Sequence, residues 1–122
     1  MSEIRVTTLK DTSGGNSSTT SDIYNGRAKA WVNFNGSGTV AIRSSFNVNS
    51  MTDDGTGTYR ANFSTALPDT NYTGAGFSAS NTTSNGFYEC DIWPNTSSAS
   101  WILVHWQDSF YDLDYVGAQW IR

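Results

Sequence analysis

A period of two in the apolar residues is the feature that most restricts the fold of this chain. In residues 28–34, AKAWVNF, small or apolar residues alternate with Lys29, Trp31 and Asn33. Such alternation predicts a strand with one buried face. Trp31 falls on the polar face, which leaves three explanations open. It packs under another chain, it stacks on a ligand, or it is covered by a loop of its own domain.

Seven further segments with strand character follow, separated by turn residues. Only 15% of the residues are charged and only 37% are hydrophobic, and Ser, Thr, Asn and Gly make up much of the remainder. This composition is typical of β-rich proteins with many turns. No segment has a helical period, so we expect no helix. The pattern predicts an all-β fold, an antiparallel, jelly-roll-like β-sandwich of about eight strands. The expected strands cover residues 28–34, 40–43, 46–51, 58–63, 71–79, 86–93, 100–107 and 111–121.

Two of these strands carry more specific expectations. Residues 101–104 (WILV) are apolar on both faces, so this strand is central or one of its faces meets another subunit. Cys90 alternates with Glu89 and Asp91, so we expect it in the core, where burial makes a thiol unreactive. It is the single cysteine of the chain, which excludes an intrachain disulfide.

The first 26 residues differ from the rest of the chain. Ile4, Val6 and Leu9 are the early apolar residues, and the segment KDTSGGNSSTTSD that follows has no periodicity. Such a segment cannot form a core of its own, so its apolar residues need a surface supplied by the domain or by another molecule. We therefore divide the chain into an extended N-terminal arm, residues 1–26, and a β-sandwich domain, residues 27–122.

Charge and hydropathy exclude two classes of partner. The net charge is −4 and the pI is near 4.6, whereas a nucleic-acid-binding protein needs clustered Lys and Arg. No run of about 18 apolar residues occurs, so we expect no membrane insertion. The opening residues, Met-Ser-Glu-Ile-Arg, lack the pattern of a secretory signal.

Five motifs follow one another between residues 28 and 63. They are the strand AKAWVNF, the link GSGTVAIR, the strand SFNV, the turn DDGTG and the strand YRANF. Together with the leading VTTLKDTSGGNSST, this order resembles a small β-sandwich domain of tail fibre and related virion proteins from tailed phages, notably phages of marine bacteria and cyanobacteria. The resemblance covers residues 4–77.

The resemblance implies a homotrimeric β-sandwich on the virion, assembled in the cytoplasm of a host bacterium. Its partners would be other copies of itself and other phage tail or capsid proteins. Because members of this family sometimes touch the host surface, a host surface glycan is a further expected partner. Ile4, Val6 and Leu9 would then be virion-attachment residues. The family supplies no catalytic motif.

Catalytic and metal-binding alternatives have little support. His105 is the single histidine, and no positional signature marks any serine as its nucleophile. Asp112 and Asp114 share a face of a predicted strand, but YDLDY is more typical of a solvated face than of a pair of hydrolytic carboxylates. Residues 53–57, DDGTG, offer oxygen ligands without the spacing of a calcium loop. We expect no enzymatic activity, no metal and no cofactor.

Two function classes stay open. One is a structural virion module, in a tail fibre, a fibre tip or a capsid decoration, and the other is a lectin-like carbohydrate-binding module. They differ in whether the spare aromatic residues lie between subunits or around a shallow groove. We expect residues 81–115 to form the host-facing end, with loops at residues 81–86 and 94–99. The candidate receptor or subunit contacts are Trp31, Trp93, Tyr111, Asp112, Asp114 and Tyr115.

Overall fold

The fold is an antiparallel β-sandwich, as the alternation predicts. The computed structural model describes residues 1–80 and 88–122. An N-terminal hairpin and a short helix precede two sheets that pack face to face. Within the described residues the elements are β1 (Thr8–Lys10), β2 (Ser17–Thr19), α1 (Thr20–Gly26), β3 (Ala28–Asn35), β4 (Ala41–Phe46), β5 (Val48–Gly55), β6 (Thr58–Phe63), β7 (Thr73–Ala79), β8 (Glu89–Thr96), β9 (Ala99–Trp106), β10 (Ser109–Phe110) and β11 (Tyr115–Ile121).

The nine strands from β3 to β11 form the sandwich. The first sheet has the order β4-β3-β11-β7. In the second sheet β9 pairs with β6 and, on its other side, with β8, while β5 pairs with β6 and the two-residue β10 pairs with the end of β9. Apart from β10, the eight longer strands correspond to the eight strands that the sequence predicts. The expected central position of the strand containing residues 101–104 is confirmed.

Apolar residues from the inner faces of both sheets fill the core. Trp120, Tyr59 and Phe34 are the largest fully buried side chains. The rings of Phe34 and Tyr59 pack edge to face with centroids 5.1 Å apart, and Phe63 and Trp120 do the same at 5.1 Å. Burial of each such side chain contributes about 1.5–3 kcal/mol. The inner face of every long strand is thereby committed to packing, which leaves the outer faces for function.

A hydrogen bond joins the two sheets inside this core. Trp120 in β11 donates its indole N–H to Ser100 Oγ in β9 at 2.9 Å. The Ser100 hydroxyl in turn donates to the carbonyl oxygen of Trp93 in β8, also at 2.9 Å. Ser100 is fully buried, and these partners are the reason that a hydroxyl is tolerated there.

The chain passes from the first sheet to the second at Asn47. This residue has a φ of 55°, in the left-handed region that Asn adopts more readily than most residues. Its amide Nδ2 donates to the carbonyl oxygens of Lys29 and Thr65, at 3.1 and 3.0 Å, and its Oδ1 accepts from the N–H of Thr65 at 2.7 Å. Because Asn47 makes the corner, β4 continues to Phe46, whereas the sequence predicts an end at residue 43.

Two of the strand ends that differ from the sequence prediction lie near candidate site residues. The final strand begins at Tyr115 and not at residue 111, so Asp112 and Asp114 do not share a strand face. The strand β8 continues through Pro94, where the sequence predicts a turn. Proline is tolerated there because β8 is an edge strand and its register with β9 shifts after Pro94.

The arm contains regular structure that the sequence pattern does not predict. β1 and β2 pair as a hairpin, and α1 begins with a capping box. In this box Thr19 Oγ1 accepts from the N–H of Asp22 at 3.1 Å, and the Asp22 carboxylate accepts from the N–H of Thr19 at 2.9 Å. The expectation of no helix is wrong because end capping, which needs no apolar period, stabilises this short helix. Every residue of the arm is exposed.

We expect Ser100→Ala to lower the free energy of unfolding by about 1–3 kcal/mol, because the indole N–H of Trp120 would stay buried without an acceptor. Urea denaturation followed by tryptophan fluorescence measures this change. The matched control is Ser98→Ala at an exposed turn position, for which we expect a change within about 0.5 kcal/mol. Equal losses in the two variants would contradict the proposed role of Ser100.

Candidate functional site

Both outer faces of the sandwich carry aromatic side chains that the core does not use. Those on the outer face of the first sheet are Trp31, Phe46, Phe77 and Tyr115. Those on the outer face of the second sheet are Trp93, Trp101 and Phe110, of which the first two lie directly opposite each other on β8 and β9. The two sets point in opposite directions, so they form two separate candidate sites.

A shallow groove of about 480 Å³ crosses the first sheet between Trp31 and Phe77. Trp31 is 38% exposed and Phe77 is 53% exposed. The register of β3, β11 and β7 aligns outward-facing residues in two rows that cross the three strands. The rows are Trp31, Gln119 and Ala75, and next to it Asn33, Gly117 and Phe77. These six residues define what we call the groove.

The floor of the groove depends on Gly117. A Cβ at this position would lie 2.1 Å from Cε1 of Phe77, so the Phe77 ring rests directly on the backbone of β11. No residue with a side chain leaves room for a ring in this place. Gly117 is buried as a result, although it faces outward.

The polar groups of the groove are amides. Gln119 is exposed between Trp31 and Ala75. Asn33 is half-buried, and its Oδ1 is buried without a hydrogen-bond partner. All residues that line the groove are uncharged. The groove therefore offers aromatic surface together with amide donors and acceptors, and it has no charge with which to select an ion.

A second, more apolar depression lies on the outer face of the second sheet. We call it the hollow, and it is lined by Thr58, Trp93, Trp101 and Leu103, with a volume of about 290 Å³. Trp93 is 59% exposed. Charged residues, among them Arg60, lie at the rim of this depression.

Arg60 sits at one side of the hollow. Its guanidinium lies 4.9 Å from the centroid of the Trp101 ring and donates to both carboxylate oxygens of Asp54, at 2.8 and 2.7 Å. The hydrogen bond that Arg60 donates to Asp54 raises the pKa of Arg60 above its ordinary value. Arg60 is thereby fixed over Trp101 with its charge paired.

His105 continues this outer face beside a pair of carboxylates. Its Nε2 lies 3.0 Å from Asp91 Oδ2 and its Nδ1 lies 3.6 Å from Glu89 Oε2. The hydrogen bond with Asp91 is the largest of the effects that raise the pKa of His105 above its ordinary value. The side-chain partners of His105 are thus carboxylates, and a backbone hydrogen bond with Gln107 shifts its pKa in the same direction.

The six predicted contact residues do not form one cluster. Trp31 and Tyr115 lie on the outer face of the first sheet, where the Arg43 guanidinium stacks 4.6 Å from the Tyr115 ring centroid. Trp93 lies on the opposite outer face, in the hollow. Tyr111 packs edge to face on Tyr88, with centroids 5.2 Å apart, and contacts the core.

Asp112 accepts hydrogen bonds from residues of the sandwich. Its Oδ1 accepts hydrogen bonds from the N–H of Gly57 at 2.7 Å and from the Tyr59 hydroxyl at 2.8 Å. Burial, together with the Asp112 carboxylate, raises the pKa of Tyr59 above its ordinary value. Asp114 is half-buried in the segment before β11. Both acids thus belong to the segment between β10 and β11, which Asp112 joins to the turn between β5 and β6.

Several residues of the two sites were not among the predicted contacts. They are Asn33, Phe77, Gly117 and Gln119 in the groove, and Arg60 and Trp101 in the hollow. Asn33 could have been found, because it shares a strand face with Trp31. The others depend on which strands become neighbours, and the chain does not encode that locally. The predicted loop at residues 81–86 lies outside the described residues.

The remaining candidate residues lie on the arm and at the edge of the core. Ile4, Val6 and Leu9 are exposed on the arm. Cys90 is half-buried against the core, and burial raises the pKa of its thiol to about 12. In residues 1–80 and 88–122, no group of three or more His, Cys, Asp or Glu is arranged to hold a metal ion. No helix in this part of the chain could span a membrane.

No family model, curated protein or solved structure matches this chain. The arm, the groove and the hollow are consequently the features from which its function is inferred.

We expect the His105–Asp91 pair to stabilise the fold mainly at acidic pH. Because the pKa of His105 is raised in the folded state, its contribution is complete below the ordinary pKa of 6.5 and is lost as the pH rises through the higher folded pKa. Thermal unfolding of the wild type and of Asp91→Asn, from about pH 5 to pH 8, tests this. The difference in Tm should shrink with rising pH. Asp108→Asn, in the exposed β9–β10 turn, is the control, and a difference that does not change with pH would refute the pairing.

Proposed function

We propose that this chain is a structural virion protein of a tailed phage, a trimeric component of a tail fibre or fibre tip that attaches through its N-terminal arm. The observation that carries this proposal is the arm itself. It extends from a well-packed sandwich, has no buried residue, and presents apolar side chains to solvent, with Ile4 90% exposed. The sequence resemblance to phage fibre domains supports the same function.

The arm is suited to docking because its apolar residues are exposed in the isolated chain. Ile4, Val6 and Leu9 are exposed, as are Ile23 and Tyr24 of α1. Burial of an aliphatic side chain contributes about 1.5–3 kcal/mol, so three or more of them would support a specific attachment. A second virion protein would supply the surface that they lack.

Tyr24 joins the arm to the sandwich. Lys29 Nζ donates to the carbonyl oxygen of Tyr24 and lies 3.6 Å from the centroid of its ring. The Arg27 guanidinium lies 5.3 Å from the same centroid. This anchor keeps α1 beside the start of β3, while residues 1–6, which precede the hydrogen bond from the N–H of Thr20 to the carbonyl oxygen of Thr7, are free to follow a partner surface.

The hollow is the surface that we assign to subunit contact. Exposed Trp93, half-buried Trp101 and Leu103 give it an apolar centre, and Arg60, Asp54 and Asp91 surround this centre with polar groups. An apolar centre rich in Trp and Arg within a polar rim is typical of the energetically important part of protein interfaces. The expected homotrimer would bury this patch.

A second candidate function is carbohydrate binding, and the groove favours it. Trp31 and Phe77 flank uncharged amides on an exposed sheet face, which suits a sugar with one apolar and one hydroxylated side. The two functions are compatible, since a fibre tip can bind a host glycan. A capsid decoration protein would use the same arm on a different part of the particle.

Replacing Ile4, Val6 and Leu9 together by Ser is expected to abolish incorporation into phage particles, because it removes the apolar contacts of the arm. Deletion of residues 2–25 should have the same effect. Purified particles analysed by quantitative mass spectrometry measure incorporation. A variant with Ser2→Ala and Thr7→Ala, which keeps the apolar residues, serves as the control. Normal incorporation of the triple variant or of the deletion would rule out attachment through the arm.

We expect Trp93→Ala to dissociate the trimer, because truncation of a central interface tryptophan typically costs about 2 kcal/mol or more of association free energy. Light scattering should give three times the chain mass of 13.3 kDa for the wild type, and lower values for the variant at micromolar concentration. The carbonyl group of Trp93 that Ser100 uses is retained, so the fold should persist. Trp106→Ala, exposed at the end of β9, is the control. A monomeric wild type would contradict the trimer.

A further inference from the structure

We propose that the groove of the first sheet binds a neutral sugar ring, with Trp31 and Phe77 as the stacking surfaces and the amides of Asn33 and Gln119 as the hydrogen-bonding groups. This inference deepens the proposed role in host attachment and rests on it. It assigns the recognition site to the face of the sheet, whereas the sequence places recognition at the end formed by residues 81–115.

The spacing within the groove suits a small ring. Trp31 stands on β3 and Phe77 on β7, with β11 between them, so their backbones are about 10 Å apart across the sheet. The middle strand contributes Gly117 and Gln119, and the third strand contributes Ala75 opposite Gln119. The Phe77 ring covers Gly117, and the small residues Ala75 and Gly76 leave a depression between this ring and Trp31 into which an apolar sugar face can settle.

The polar groups of the groove define the chemistry of the ligand. No lining residue is charged, so the groove does not select a phosphate, a carboxylate or an ammonium group. Asn33 Oδ1 is buried without a hydrogen-bond partner among the described residues, and such an acceptor is costly unless a donor reaches it. Asn33 lines the groove, so a sugar hydroxyl is the donor that we assign to this oxygen.

An extended peptide is a poorer occupant than a sugar. Peptides that add to a sheet pair with the free backbone of an edge strand. The groove instead lies on the outer face of the sheet, over β3 and β11, which are paired on both sides, and over the edge strand β7, whose unpaired backbone groups lie in the plane of the sheet and do not point into the groove. Recognition in the groove therefore has to use side chains, and those available are two aromatic rings and two amides.

A second copy of the chain is also excluded from the groove if the hollow forms the trimer contact. The groove and the hollow lie on opposite outer faces of one sandwich. Packing one of these faces on the other would extend a stack of subunits and would not close a ring of three. A closed trimer that buries the hollow thus leaves the groove open to solvent.

The experiment is an NMR titration of the full-length protein with glucose, galactose, mannose, N-acetylglucosamine and their short oligosaccharides. At least one should shift the resonances of the Trp31 indole and the Asn33 amide. Trp31→Ala should weaken binding about tenfold or more, which corresponds to about 1.4 kcal/mol. Gly117→Ala should weaken it similarly, because the new Cβ displaces the Phe77 ring. Trp106→Ala, outside the groove, should bind as the wild type does.

Circular dichroism and Tm establish that each variant is folded. The proposal is overturned if no neutral sugar binds, if the shifts map to the hollow, if an acidic sugar or a peptide is preferred, or if folded Trp31→Ala and Gly117→Ala bind normally. Failure here is distinct from failure of the proposed function. Absence of sugar binding in a protein that enters particles refutes the sugar site alone, and sugar binding by a protein that never enters particles refutes the virion role alone.

Discussion

The hydrogen bond from Trp120 to Ser100 is the contact on which the arrangement of the two sheets depends. The largest buried side chain is on β11 of the first sheet, and its single polar atom finds an acceptor on β9, the central strand of the second. A buried indole N–H has few alternatives, so this bond fixes how the sheets lie over each other. The Ser100 hydroxyl also donates to the carbonyl oxygen of Trp93, so Ser100 links Trp120 to the backbone of β8 beneath the hollow.

Close approach within the sandwich is made possible by small residues at a few positions. On β7, a Cβ at Gly74 or Gly76 would collide with Ile92 and Cys90, so the edges formed by β7 and β8 come together only because these side chains are missing. On the outer face, Gly117 has the corresponding role for Phe77. The missing side chains thereby allow β7 to pack on β8 across the sandwich and the Phe77 ring to rest on the backbone of β11.

The sequence predicted what is local and missed what depends on distant strands. Alternation of side chains defined β3 and β6 nearly residue for residue. It failed at residues 111–114, because Asp112 is drawn to Gly57 and Tyr59, more than fifty residues earlier, and this contact delays the start of β11. It also missed α1, whose sequence signal is the pair Thr19 and Asp22 and not an apolar period.

The candidate sites follow the same division. Trp31 and Trp93 were identifiable as large side chains on polar strand faces. Their partners Phe77 and Trp101 became visible only with the strand order and register of the two sheets. Because the sheets turn these pairs in opposite directions, an arrangement that buries one face against other subunits leaves the second exposed. One small sandwich domain can therefore combine assembly and recognition, because each of the two functions can use a different outer face.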